Sequence, residues 1–261
     1  MSAISLAGCG AVVTGGGRGI GAAIARTLSR AGAGVVITAR TSSEIEAVAA
    51  GIRGAGGTAW AVTADVTDEE SVRRLGAEAR RLAGGIDILV NNAGDADSSP
   101  LAKTTLLAWN RMLTVNATST FLCTREFAPD LASRGRGRVV NVASTAGLEG
   151  GKYIAPYTAA KHAVVGFTRA MAIELAERGV TVNAVCPGYA DTPMTDRTMT
   201  NIGARTGLDR SAALAAVLAA GKQARLVTPD EVAEEVLRLC ADGAASTTGH
   251  AIRIDGGSAS R

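Results

Sequence analysis

Cysteine and histidine are scarce in this sequence, which has four cysteines and two histidines among 261 residues. Cys9, Cys123, Cys186 and Cys240 are far apart and form no Cys-x-x-Cys pair. Neither a zinc site made of cysteine and histidine nor a disulfide framework is therefore expected. The dispersed cysteines predict reduced, buried thiols, and no metal site is predicted.

Long hydrophobic runs and a large excess of one charge are also lacking. No apolar run approaches the ~18 residues that a membrane span needs. The first residues have neither the basic region nor the apolar core of a signal peptide. The formal net charge is only +3 and the basic residues are scattered, which argues against nucleic-acid binding. We therefore expect a cytoplasmic protein that binds a small-molecule substrate, with no nucleic acid and no membrane among its partners.

The dominant pattern is an alternation of short β-branched runs with longer segments of helical periodicity. Several runs are apolar nearly throughout, as expected for strands covered on both faces. Such alternation predicts right-handed βαβ units. The predicted fold is α/β: one Rossmann-type domain, residues 1–261, with a doubly wound, seven-stranded parallel sheet and helices on both faces. The predicted strands are Gly10–Thr14, Gly34–Ala39, Thr58–Thr63, Ile86–Asn91, Gly137–Ala143, Val180–Val185 and Ala251–Asp255.

Residues 191–225 interrupt this alternation. The segment contains Met194, Met199 and a stretch of small apolar residues at 212–220. It is either a pair of structural helices or a mobile lid at the carboxyl end of the sheet, where α/β folds bind ligands. We expect a substrate lid.

A glycine-rich segment follows the first predicted strand and leads into a helix. Gly15, Gly19 and Gly21 would allow a tight turn and a close approach of the backbone to a pyrophosphate at the helix N-terminus. Its position in a βαβ unit is the context that a dinucleotide site requires. The candidate cofactor-binding residues here are Gly15, Gly17, Arg18, Gly19, Ile20 and Gly21.

The end of the second predicted strand indicates which nicotinamide dinucleotide binds. No carboxylate is present there to bind the 2′-hydroxyl of the adenosine ribose. Arg40, and Arg18 from the glycine-rich turn, could instead converge on a 2′-phosphate, which favours NADP(H) over NAD(H). Asp65 could accept a hydrogen bond from the adenine amino group or could cap a helix. The candidates at this end are Arg40, Thr41, Asp65 and Val66.

The segment Asn91-Asn92-Ala93-Gly94 closes the fourth predicted strand. Its small residues would let the backbone run against the cofactor, and the Asn91 side chain could join neighbouring strands. A plain turn is the alternative. Asn92, Ala93 and Gly94 are the cofactor-binding candidates.

Tyr157 and Lys161 are spaced to lie on one face of a helix, and Ser144 lies upstream at the end of an apolar run. A nearby ammonium would lower the pKa of the phenol from about 10 toward the working pH. Such a tyrosine can donate a proton to a carbonyl or remove one from an alcohol. An ordinary amphipathic helix with a solvated lysine is the alternative interpretation.

Taken together, these motifs resemble the short-chain dehydrogenase/reductase family over essentially the full chain. Besides the residues above, the resemblance rests on Asn116 and on Pro187-Gly188 followed by Thr192, all in family order. It implies an oxidoreductase that moves a hydride between NADP(H) and a carbonyl or secondary alcohol. It also implies a homotetramer or homodimer with interfaces on the helices predicted at 106–131 and 157–178.

The resemblance also implies a role for each catalytic candidate. Tyr157 would be the general acid in reduction and the base in oxidation. Lys161 would lower the pKa of Tyr157 and bind the nicotinamide ribose, and Ser144 would hold the substrate oxygen. Asn116 would support a water that links Lys161 to solvent.

The residues that would orient the nicotinamide carboxamide are Pro187, Gly188 and Thr192.

Within the family, residues 155–167 and 182–188 are similar to 3-oxoacyl thioester reductases, and especially to ketoreductases of aromatic polyketide synthesis. Those ketoreductases carry Pro-Gly-Gly after Asn-Asn-Ala-Gly, whereas this chain has Asp95-Ala96-Asp97-Ser98-Ser99. The expected substrate is therefore a simpler 3-oxoacyl thioester or a related ketone. An NAD-linked dehydrogenase of hydroxyacyl or cyclic secondary alcohols and a non-catalytic nucleotide sensor are the alternatives.

Overall fold

In the computed structural model, which describes residues 4–257, seven strands form one parallel sheet in the order β3-β2-β1-β4-β5-β6-β7. β1 lies next to both β2 and β4, with Ala11 opposite Val35 on one side and Ile88 on the other. The strand order therefore reverses direction between β1 and β4, and loops that leave these two strands diverge around a crevice. The strands are β1 (Gly10–Thr14), β2 (Gly34–Ala39), β3 (Thr58–Thr63), β4 (Ile88–Asn91), β5 (Arg138–Val142), β6 (Thr181–Pro187) and β7 (Ala251–Ile254).

Helices cover both faces of the sheet, as the alternation predicted. A short π-helical turn, Thr114–Thr118, joins the fourth helix to the fifth. The α-helices of the described residues are α1 (Gly19–Arg30), α2 (Ser42–Gly54), α3 (Glu69–Ala83), α4 (Leu106–Leu113), α5 (Ser119–Ser133), α6 (Ala155–Leu175), α7 (Pro193–Thr206), α8 (Arg210–Gly221) and α9 (Pro229–Cys240).

Alternate residues of the central strands face two separate layers of core. Val13 of β1 packs with apolar residues of α1, α2 and α9, such as Leu28. The neighbouring Val12 faces the other side and packs with residues of α3, α5 and α6, such as Phe127. This is the two-residue periodicity of a strand buried on both faces, and the doubly wound α/β fold is confirmed.

The element boundaries agree with the sequence prediction at the first three strands and differ elsewhere. The fourth strand begins at Ile88 rather than Ile86, and just before it the Asp87 carboxylate accepts from the Gly10 N–H at 2.9 Å. The sixth strand extends to Pro187. The single helix predicted over 106–131 is wrong in detail, since the π-helical turn divides it.

The cysteines and the helices can be described over residues 4–257. Cys123, Cys186 and Cys240 are buried and Cys9 is half-buried, and all four are free thiols. Within that range, no helix is both long and apolar enough to cross a membrane. The expected lack of a signal peptide also concerns residues 1–3, which lie outside the described part of the chain.

Candidate active site

The glycine-rich segment forms a tight turn between β1 and α1. Gly15 and Gly19 have φ of +63° and +52°, a region that favours glycine. A Cβ atom on Gly21 would lie 2.3 Å from the Gly15 carbonyl oxygen, so only glycine allows this packing. α1 has no acidic residue in its first turn and no side-chain cap. Its exposed N–H groups and positive dipole end therefore fit the pyrophosphate of a dinucleotide.

Hydrogen bonds between the end of β1 and the residues after β4 fix the conformation of this turn. The Thr14 hydroxyl accepts hydrogen bonds from the backbone N–H groups of Asn92 and Ala93, both at 3.0 Å. The Asn92 side chain donates to the carbonyls of Thr14 and Gly15 at 2.9 and 3.1 Å. Two of the three cofactor-binding candidates that follow the fourth strand, Asn92 and Ala93, thus lie directly against the glycine-rich turn.

The predicted adenosine end contains an acid that the sequence analysis missed. Arg18 pairs with Glu44 of α2 at 3.3 Å, and a Cβ atom on Gly17 would lie 2.8 Å from the Glu44 Cβ. The Arg40 side chain is exposed and forms no hydrogen bond or ion pair within residues 4–257, although its charge helps to lower the pKa of Asp65. The Thr41 side chain also makes no capping bond at the start of α2. Of the two arginines expected to converge, one is paired and only Arg40 keeps its donors available.

Asp65 lies just beyond β3, next to buried Val66. Its carboxylate accepts from the backbone N–H and the hydroxyl of Thr67 at 2.9 and 2.7 Å, and these hydrogen bonds lower the pKa of Asp65. α3 is capped instead by Asp68, which accepts from the Ser71 N–H at 2.7 Å. The helix-cap interpretation of Asp65 is therefore wrong, and its contact with adenine stays a prediction.

A buried chain of amides joins the end of β4 to β5 and α6. The Asn91 side chain donates to the Asn141 side chain at 2.8 Å and to the Thr124 hydroxyl at 3.0 Å. Asn141 in turn donates to the Thr168 hydroxyl of α6 at 2.9 Å. The predicted strand-joining role of Asn91 is confirmed, and the network holds α6 against the carboxyl end of β5.

Ser144, Tyr157 and Lys161 meet where β5 ends. The Lys161 ammonium lies 5.7 Å from the centre of the Tyr157 ring and donates to the Val142 carbonyl at 2.9 Å. Ser144 lies close enough to Tyr157 to act on the pKa of that phenol. A Cβ atom on Gly147 would lie 2.7 Å from the Lys161 carbonyl oxygen, so glycine lets this segment approach α6 closely. The structure therefore brings together three of the four catalytic candidates.

Asn116, the fourth catalytic candidate, lies in the π-helical turn, a local distortion that is common at functional sites. Its side-chain N–H₂ donates to the carbonyls of Asp95 and Met112 at 2.9 and 3.0 Å. Its Oδ1 is buried and has no hydrogen-bond partner among the described residues. A Cβ atom on Gly94 would lie 2.6 Å from that oxygen and 3.5 Å from the Lys161 Nζ. Asn116 and Lys161 therefore approach the same point beside Gly94.

The protein environment opposes the ionisation of both Tyr157 and Lys161. Burial raises the pKa of Tyr157 to about 12, although the neighbouring Ser144 hydroxyl acts in the opposite direction. Burial also lowers the pKa of Lys161 to about 8. The expected lowering of the phenol pKa toward the working pH is not met in the protein alone, because desolvation by burial is the largest influence on Tyr157.

The end of β6 returns to the glycine-rich turn. The Gly188 N–H, next to Pro187, donates to the Ile254 carbonyl at 2.8 Å. Thr192 begins α7, and its Cγ2 lies 3.3 Å from the position that a Cβ on Gly19 would occupy. Of the three nicotinamide-end candidates, Thr192 therefore lies beside the predicted pyrophosphate site.

The structure provides no arrangement suited to a metal. Within residues 4–257, no group of three or more histidine, cysteine, aspartate or glutamate side chains could hold a metal ion.

Comparisons with known proteins give relatives along nearly the whole chain. A family model described as short chain dehydrogenase matches residues 10–203. The chain is 39% identical over 249 residues to a 3-oxoacyl-[acyl-carrier-protein] reductase of Synechocystis, covering 95% of each protein. It is 40% identical over 248 residues to a cis-4-hydroxycyclohexanecarboxylate dehydrogenase of Sinomonas cyclohexanicum, again covering 95% of each. A crystal structure of an actinorhodin polyketide ketoreductase variant with NADPH is similar at TM-score 0.91 and 37% identity, covering 96% of this chain and 97% of that one.

Proposed function

Because the chain belongs to the short-chain dehydrogenase family, and is therefore an oxidoreductase of carbonyl and alcohol groups, we propose that it is an NADP(H)-dependent ketoreductase. The meeting of Ser144, Tyr157 and Lys161 at the end of β5 is the observation that carries this proposal. The bound cofactor supplies the hydride, which reaches the carbonyl carbon. The protein must then supply one proton to the carbonyl oxygen and hold that oxygen in place.

Each side chain has a distinct task in this proposal. The Tyr157 hydroxyl donates its proton to the carbonyl oxygen, which completes the alcohol. The Ser144 hydroxyl donates a hydrogen bond to the same oxygen as negative charge develops there. Lys161 replenishes the phenol through solvent, and the unpartnered Oδ1 of Asn116 beside it can hold the connecting water. In alcohol oxidation the same proton moves in reverse.

The choice of NADP(H) is supported by Arg40. Its guanidinium stands at the end of β2 without a hydrogen bond or ion pair to any residue in the range 4–257, so its planar fork is available to a 2′-phosphate. Arg18 would join it by exchanging Glu44 for the phosphate. An NAD-linked dehydrogenase is the alternative, since Glu44 is a carboxylate close to the same turn. The similar actinorhodin ketoreductase was solved with NADPH, which favours the first choice.

A 3-oxoacyl thioester or related ketone is the substrate class that we propose. The Synechocystis relative is named as a reductase of 3-oxoacyl groups on acyl-carrier protein. The Sinomonas relative is named for a cyclic secondary alcohol, which keeps oxidation of such an alcohol as the second candidate. We further propose that residues 191–225, folded mainly as α7 and α8, form the substrate lid.

Assembly into a homotetramer or homodimer is proposed from the exposed apolar residues. Leu106 and Leu107 of α4, Phe121 of α5 and Ile173 of α6 are large, exposed hydrophobic side chains. These helices correspond to the interfaces that the family resemblance implied. Apolar side chains left exposed on adjacent helices are typical of surfaces that pack against another subunit.

Replacing Tyr157 by phenylalanine tests the proposed function. We expect Tyr157→Phe to bind NADPH normally, measured by fluorescence titration, and to lose about 10² to 10⁴ of kcat, the contribution of a positioned general acid. NADPH oxidation should be followed with 3-oxoacyl thioesters, cyclic diketones and aryl ketones. Tyr153→Phe is the matched control. Tyr153 also lies beside a lysine, but it is 51% exposed and has no part in the proposed proton transfer.

Two results would contradict these assignments. Turnover by Tyr157→Phe at the wild-type rate would show that Tyr157 is not the proton donor. Tight binding of NADPH by the wild-type protein without oxidation of the cofactor by any ketone in the panel would favour a non-catalytic nucleotide sensor.

A further inference from the structure

The α7–α8 hairpin has its own small core. Met199 of α7 packs with Ala213 and Val217 of α8, in a cluster separate from the larger clusters that pack on the sheet. Tyr189, in the loop after β6, also packs against this cluster, so apolar contact joins the two helices to each other and to that loop. Polar contacts join α7 to a different part of the domain.

Those polar contacts converge on the loop that follows Gly94. Arg197 of α7 forms an ion pair with Asp95 and also donates to the Ala96 carbonyl at 3.4 Å. About two helical turns further along α7, Arg205 donates to the Ser98 carbonyl at 3.3 Å. The loop that departs from the ketoreductase pattern is thus the surface that α7 contacts.

Asp95 has a second arginine partner in α4. One carboxylate oxygen pairs with Arg111, and the other pairs with Arg197. The Asp95 side chain is 22% exposed, whereas both arginine side chains are about half exposed. A single carboxylate therefore joins three separate elements: the loop after β4, α4 and α7.

Asp95 is also in direct contact with the candidate catalytic residues. Its backbone carbonyl accepts from the Asn116 side chain at 2.9 Å. Its neighbour Gly94 lies against the Asn116 Oδ1 and near the Lys161 ammonium. The negative charge of Asp95 is close enough to Tyr157 to add to the rise in the pKa of that phenol. The point of attachment for the hairpin is therefore next to the site of proton transfer.

We propose that Asp95 is a positioning residue that holds the α7–α8 hairpin over the substrate site through its ion pair with Arg197. The proposal rests on the proposed function for its kinetic consequence, but the contact itself does not depend on that function. When the pair breaks, the hairpin opens away from the loop at 95–99 and the substrate loses one wall of its site. Partly exposed ion pairs are weak, so the hairpin can open for substrate entry and close again.

The test compares Asp95→Asn and Arg197→Met with the wild-type protein. Asp95→Asn keeps the backbone carbonyl that binds Asn116 and removes only the charge. With the N-acetylcysteamine thioester of acetoacetate and NADPH, we expect the KM for the thioester to rise about fivefold and kcat to change less than twofold. The double variant should resemble Asp95→Asn, because that variant has already lost the ion pair through which Arg197 acts.

Arg210→Met is the matched control. Arg210 is 71% exposed and pairs with Asp196 inside the hairpin, so its removal leaves the contact with Asp95 intact. We expect the KM of this variant to equal that of the wild-type protein. Circular dichroism and the thermal midpoint confirm that every variant folds before kinetics are compared.

Hydrogen exchange provides a readout that needs no activity. In the free protein, amides of residues 193–221 should exchange severalfold faster in Asp95→Asn and Arg197→Met, while amides of β1 should not change. Unchanged exchange together with an unchanged KM would overturn the proposal. Faster exchange in a protein that oxidises no NADPH with any ketone would support the role of Asp95 and refute the proposed function instead.

Discussion

Replacing Lys161 by methionine should stabilise the folded protein at neutral pH. Lys161 is 5% exposed, and burial lowers its pKa from 10.5 to about 8. A shift of 2.5 units, at 1.36 kcal/mol for each, disfavours the buried ammonium by about 3 kcal/mol. Methionine has similar length and no charge, but it leaves the Val142 carbonyl without its donor, which costs about 1 kcal/mol. The expected net gain at pH 7 is about 2 kcal/mol.

The gain must disappear as the pH rises. Because the folded pKa is depressed, the unfolded chain binds more protons than the folded chain between about pH 8 and 10.5. The wild-type protein is therefore penalised fully below pH 8 and gains stability through that window. At pH 9.5 the remaining penalty is about 1 kcal/mol, which roughly equals the loss of the hydrogen bond. The two proteins should then be almost equally stable.

Urea denaturation followed by circular dichroism, without added nucleotide, measures this difference at pH 7 and pH 9.5. Lys103→Met is the control, because Lys103 is exposed and should give a difference that does not depend on pH in this way. A wild-type protein more stable than Lys161→Met at pH 7 would refute the reasoning. So would a stability difference that is the same at both pH values.

Two further predictions concern the cofactor and the assembly. Arg40→Ala should weaken NADPH binding about tenfold, the value of one charge-assisted phosphate contact, and should leave NADH binding unchanged. Titration with both nucleotides measures this difference, and an equal loss of affinity for both would contradict the 2′-phosphate contact. Ile173→Glu places a charge on a side chain that is 81% exposed on α6, and it should shift the sedimentation velocity of the protein toward that of a single chain. Wild-type protein that sediments as a single chain at micromolar concentration would exclude this interface.

The sheet could be predicted from the sequence because the local composition of each strand differs from that of its flanking segments. The runs that became β1, β2 and β3 are apolar or β-branched and are bounded by glycine or by helical segments, so their limits were predicted to the residue. The π-helical turn at Thr114–Thr118 has no such local signal. Within it, the Asn116 side chain reaches the Asp95 carbonyl, a contact between positions 21 residues apart that the local sequence does not show.

The candidate site also has a part that local sequence predicts and a part that it does not. The glycines, Ser144, Tyr157 and Lys161 occur at spacings that identify them, whereas no spacing identifies which charged residues form ion pairs. Thr41 and Glu44 have the spacing of a capping box, yet Thr41 makes no capping bond and Glu44 pairs with Arg18. Asp95 and Arg197 are 102 positions apart, so only the folded chain shows that they meet.

The protonation states of the catalytic pair favour one direction of reaction. With a pKa of about 12, Tyr157 is protonated in all but about one molecule in 10⁵ at pH 7. Reduction of a carbonyl needs this protonated form, whereas oxidation of an alcohol needs the phenolate. Burial, the largest cause of this shift, therefore leaves the phenol ready to donate a proton. The site is thus prepared for ketone reduction, and oxidation through this site must become faster as the pH rises.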